Sequence, residues 1–123
     1  MTMKHRVGLD IEKDLGIFEL WEDDKALAHI LLDAPALDQL IFRLSQIRSA
    51  MRETVSPELD PGARIETIEE PAWRIPDKHS GDARKLMLIL RHPGLGWLGF
   101  LLEKTRALAI SAALKEWAEK LAD

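Results

Sequence analysis

Apolar and polar positions alternate along this chain with two different periods, and the switches between them mark its elements. In residues 86–91, Leu86, Leu88 and Leu90 alternate with Met87, Ile89 and Arg91. After His92-Pro93-Gly94-Leu95, Leu98, Phe100 and Leu102 alternate with Trp97, Gly99 and Leu101. Strand side chains point to opposite faces with period two. The pattern therefore predicts a hairpin that is largely apolar on both faces, where a half-wet one would be polar at every second position. Its turn suits type II geometry, with Pro93 fixing φ and Gly94 supplying a positive φ. Beyond residue 106 the spacing becomes three and four. Ala107, Ile110, Leu114, Trp117 and Leu121 form one helical stripe, and Lys104, Arg106, Lys115, Glu116, Glu119 and Lys120 fall mostly off it.

The first half repeats this grammar. Residues 4–11 alternate Val7, Leu9 and Ile11 with Arg6, Gly8 and Asp10, a first strand. A charged turn at 12–16 leads to a second strand at 17–21, a hairpin loop at 22–25 and a returning strand at 26–32. Asp33 stands where a helix N-cap belongs, with Pro35 in the first turn. The stripe that follows is Leu37, Leu40, Ile41, Leu44, Ile47 and Met51, fraying near 53–55. Residues 56–62 (SPELDPG) read as a linker. Ile65 and Ile68 alternate imperfectly with charge over 63–69. Pro71 and Pro76 bracket 72–75, which predicts an edge strand, where a missing N–H costs least.

Sliding the chain by 70 residues lays the second helix stripe on the first and Phe100 and Leu102 on Ile30 and Leu32. Coincident apolar positions barely exceed chance, so the matching order of elements carries the case for duplication. The expected fold is α+β: an antiparallel sheet of about six strands with two amphipathic helices, built as a duplicated strand–hairpin–helix (βββα) unit. One domain spanning 1–123 is expected, with half-repeats 4–55 and 63–122 joined by the linker 56–62.

Composition narrows the class. At 123 residues, 46% apolar and 31% charged, the chain suits a single globular domain. A net charge of −4 argues against general affinity for nucleic acid or anionic lipid. No cysteine is present, which excludes disulfides, thiol chemistry and Cys-type zinc sites. The start lacks the apolar run of a signal peptide. The longest apolar stretch, 86–102, is broken by Arg91, His92 and Pro93 and falls short of the ~20 residues a spanning helix needs. A cytoplasmic protein without membrane, nucleic-acid, metal or cofactor partners is expected.

Chemistry-bearing patterns are sparse. His5, His29, His79 and His92 form no i, i+4 pair, and a zinc or iron site would need several ligands converging from distant segments. His79-Ser80-Gly81-Asp82 holds the residue types of a hydrolytic triad, but adjacent loop residues seldom reach triad geometry and no G-x-S-x-G is present. Asp23-Asp24 and Glu69-Glu70 sit at loop or strand ends and read as solvated turn charge. Arg43, Arg48 and Arg52 read as a wet helix face. No catalytic residue is assigned. The most unusual string is Arg91-His92-Pro93-Gly94-Leu95-Gly96-Trp97. With Trp73 and Arg74 it defines the alternative reading: an anion-binding or enzymatic pocket in which arginine grips the ligand.

The leading reading comes from the faces. With helices on the face of Phe18, Leu20, Ile30, Leu32, Leu88, Leu90, Leu98, Phe100 and Leu102, the other face shows Ile17, Trp21, Leu27, Leu31, Met87, Ile89, Trp97 and Leu101. Left open, that set would exceed the roughly 300–600 Å² apolar patch of a typical monomer. A non-enzymatic protein acting by association is expected, as a homodimer or an adaptor for another protein, with these eight residues as the interface. Helices on opposite faces of the sheet would remove that patch.

Overall fold

A computed structural model describes residues 2–78 and 81–123. His79 and Ser80 lie outside the described residues, and with them half of the His-Ser-Gly-Asp string. The chain divides into two units, Met1–Ala63 and Arg64–Asp123, each taken here by itself.

In the first unit β1 (Met3–Asp10), β2 (Leu15–Glu22) and β3 (Lys25–Leu32) form an antiparallel sheet in the order β1-β2-β3. Asp14 and Asp23 hold the tight turns at φ 53° and 51°, in the left-handed region that a short side chain such as aspartate tolerates. The register places Val7, Phe18 and Ile30 in one row across the strands, and Gly8, Ile17 and Leu31 in the next. Between Leu20 and Trp21 it slips, with Leu20 opposite Ala28 and Trp21 opposite Ala26, so Leu27 is the extra residue of a bulge. Helix α1 (Ala34–Ala50) starts one residue after β3, capped as expected: Asp33 Oδ1 accepts from the Ala36 N–H at 3.0 Å.

The second unit repeats the order. Strands β4 (Trp73–Arg74), β5 (Lys85–His92) and β6 (Gly96–Glu103) form the antiparallel sheet β4-β5-β6, and helix α2 (Lys104–Glu119) follows directly. Strand β5 lies 70 residues beyond β2, and the helices start at Ala34 and Lys104, the same shift. The fold is α+β, two similar βββα units with all six strands antiparallel. The edge segment between Pro71 and Pro76 pairs at two residues, since neither proline can donate to a ladder. Residues 63–69, whose alternation was imperfect, form no strand.

Two local expectations are corrected. The second hairpin is not a type II turn: Gly94 has no positive φ, and Gly96 takes φ 80° instead. His92 pairs with Gly96, so the loop is three residues long, and such loops put their left-handed residue at the end of the turn rather than its centre. Nor does either helix cover a face of its sheet. Leu37 Cδ2 sits where a Cβ on Gly16 would be 3.1 Å away, which seats the first turn of α1 on the face shared by Gly16, Phe18 and Ile30. Past Ile41 every residue of α1 is exposed, and in α2 every residue past Ala107 is exposed. The cause is the connection. One linking residue before α1, and none before α2, leaves no chain with which to reverse direction over the sheet.

Among the described residues none is buried, and the central strands β2 and β5 are half-buried along nearly their whole length. The chain exposes 11521 Å². Two separate compact units, each half of 13.9 kDa, would together expose about 8,000 Å².

Candidate functional site

Both helix stripes are bare along much of their length. On α1, Leu44 and Ile47 are exposed, and Met51 just beyond it is as well. On α2, Leu114 is 68% exposed and Trp117 65%, with Leu121 bare just past the helix end. The α2 stripe keeps strict spacings of three and four at residues 107, 110, 114, 117 and 121, while the α1 stripe adds Ile41 to the same series at 37, 40, 44, 47 and 51. On α2 that spacing is the narrow seam by which helices pair, whereas Ile41 widens the first two turns of α1 into the face by which a helix lies on a sheet. An open apolar groove of about 410 Å³ runs along α2, lined by Ile110, Ala113, Leu114, Trp117, Ala118 and Leu121. Sequence reading placed the interface on the sheets and passed over these stripes. The signal was present in their spacing, but a helix expected to rest on a sheet is already accounted for by its own fold.

The eight sheet residues expected to form an interface divide between the units. In the second unit the register puts Met87 opposite Leu101, with Ile89 and Trp97 on the same face, where Arg91 stands opposite Trp97 and Arg74 opposite Ile89. Met87 packs over Gly99, where an added Cβ would stand 3.5 Å from Sδ. Trp97 and Leu101 are exposed, while Met87 and Ile89 are half-buried. In the first unit Ile17 and Leu31 pair directly, but the row Arg6, Glu19, His29 separates them from Trp21. His29 Nδ1 lies 3.7 Å from Glu19 Oε2, and the Arg6 guanidinium stands over the Trp21 ring at 4.6 Å. Leu27 sits at the bulge. Charge therefore interrupts this face in both units, through the row Arg6, Glu19, His29 in the first and through Arg74 and Arg91 in the second.

The four residues of the alternative pocket do not share a face. Trp73 pairs with Leu90 and so lies on the side of His92, while Arg74 pairs with Ile89 and lies on the side of Arg91. His92 is engaged in its own turn: Nδ1 accepts the Gly94 and Leu95 N–H groups, both at 2.9 Å. An accepting Nδ1 carries no proton, so the hydrogen sits on Nε2. That atom is shielded from solvent and lies 3.2 Å from Glu66 Oε2, near enough for attraction but not aligned for a hydrogen bond. A groove of about 450 Å³ beside β5 is lined by Asp77, Lys78, Lys85 and neighbouring apolar groups, and none of the four pocket residues reaches it.

Among the described residues His5 lies on β1, His29 on β3 and His92 at the end of β5, and no three His, Asp or Glu side chains cluster as metal ligands would. Asp23 is a turn residue whose Oδ1 accepts the Thr2 N–H at 3.2 Å. Arg48 Nη1 donates to the Glu53 carbonyl at 2.6 Å, closing the end of α1. Among the described residues no helix is long and apolar enough to cross a membrane. Comparison with protein-family models, with curated proteins and with solved structures found no match.

Proposed function

We propose that this chain acts by association, as a homodimer or as an adaptor built on one, and not by catalysis. The observation that carries the reading is the bare apolar stripe on each helix, in a chain none of whose described residues is buried. Its surface exceeds that of two separate compact units by roughly 3,500 Å², well above the ~800 Å² per partner of a standard interface. A second copy is the simplest cover, because a self-matching surface closes under a twofold axis without further components. The apolar patch of Met87, Ile89, Trp97 and Leu101 supports the same reading, and a cytoplasmic setting belongs to it. Sedimentation equilibrium is expected to give a mass near twice 13.9 kDa. A monomer at high micromolar concentration would overturn the reading.

A further inference from the structure

Resting on that association, we infer that strand β6 pairs antiparallel with β6 of a second copy, Gly99 facing Gly99, so that the two second-unit sheets join into one. The open backbone of β6 supplies the first reason. The Arg91 N–H donates to the Ala72 carbonyl, so on β5 the backbone of Arg91 faces β4. Backbone direction alternates along a strand, so Leu86, Leu88, Leu90 and His92 turn theirs toward β6, where they meet Leu102, Phe100, Leu98 and Gly96. The N–H and C=O groups of Trp97, Gly99 and Leu101 are left pointing outward, and among the described residues no hydrogen bond takes them up. A row of this kind is matched by another extended backbone.

The other sheet edges are guarded and this one is not. Charge, bulges, proline and shortness all discourage a strand edge from pairing. Strand β1 carries Lys4, His5 and Arg6, and β3 carries Lys25, His29 and the bulge at Leu27. Strand β4 is two residues long between Pro71 and Pro76. Strand β6 runs eight residues with neither bulge nor proline, and its one charge is the terminal Glu103.

The sequence of β6 also matches itself. About a twofold axis at Gly99, Trp97 of one copy meets Leu101 of the other and Leu98 meets Phe100, each a pair of large apolar side chains. The two glycines meet at the centre, where Met87 already packs over Gly99. The facing positions at 97, 99 and 101 exchange both of their backbone bonds, which satisfies the whole open row. Centring one residue later would set Trp97 against Glu103 and Gly99 against Leu101. Pairing uses up the open edge in both copies and leaves the guarded β4 at either end of the joined sheet, so assembly stops at two.

The chain holds no cysteine, so a thiol introduced into it is unique and can form a disulfide only between copies. A Cβ at Gly99 makes ordinary contact with Met87, 3.5 Å from Sδ, so the protomer accepts a side chain there. Directly facing residues stand ~5.5 Å apart at Cα, within disulfide reach. Gly99→Cys in the full chain should therefore form a covalent dimer on mild oxidation about tenfold faster than Glu103→Cys, whose two thiols lie ~27 Å apart, eight residues at ~3.4 Å each. Gly99→Lys and Gly99→Glu each set like charges face to face and should raise the dimer dissociation constant about fivefold, while an equimolar mixture of the two restores the dimer. A wild-type dimer in which Gly99→Cys cross-links no faster than Glu103→Cys would overturn the edge pairing and leave association standing. So would an unchanged dissociation constant in Gly99→Lys. A monomeric wild type would remove both.

Discussion

Gly96 sits at φ 80°, where a side chain is strained, although nothing lies within 4 Å of its missing Cβ. Gly94 lies at an ordinary φ, and a Cβ there would meet the His92 ring at 3.5 Å, a normal contact. Gly96→Ala is accordingly expected to destabilise by about 1–2 kcal/mol, and Gly94→Ala by less than about 0.5 kcal/mol, read from urea midpoints. The reverse order would mean that the hairpin has the two-centre turn its Pro-Gly dipeptide suggests. The dipeptide announces that a turn occurs there. It does not say which glycine bends left-handed, because that depends on a loop length set by pairing His92 with Gly96. His92 shows the same limit. Its imidazole caps two turn amides, a role that follows from the turn's path and that no spacing rule could supply. His92→Leu should cost about 1 kcal/mol by leaving those amides without their acceptor.

At the scale of elements, the strands, the Asp33 cap and both stripes were legible, because each rests on a period or a local hydrogen bond. Asp33→Ala should cost about 1 kcal/mol of stability. Where the helices go was not legible. The α1 stripe is half-buried from Leu37, packed against Gly16, through Leu40 and Ile41, and then runs bare. Leu37→Ala and Leu44→Ala, chemically identical changes on one stripe, should thus behave differently. The first is expected to lower the unfolding midpoint at every protein concentration. The second should leave it unchanged in dilute solution and lower it only at concentrations where copies associate. Equal losses in dilute solution would place Leu44 in a core of its own protomer.

For the whole molecule, stability drawn from a partner depends on how much partner is present. Raising the protein concentration a hundredfold above the dissociation constant contributes about 2.7 kcal/mol to the folded dimer. The thermal midpoint should therefore climb as concentration rises. A midpoint that stays constant from low to high micromolar protein would remove the reason to expect a partner. The sheet faces were anticipated as the meeting surface, yet the row Arg6, Glu19, His29 divides one of them, and only the register reveals that these three polar groups stand side by side.

By itself the sequence determined the element types, their repeated order, the helix cap and the oily character of both strand faces. These depend on residues within a few positions of one another, whose spacing fixes which side chains share a side. The tertiary structure alone decided the strand register, the bulge at Leu27, the left-handed glycine and the emergence of α1 from its sheet after two turns and of α2 after one. Those outcomes depend on residues far apart in the chain and on the length of each connection, and neither is written in a local period.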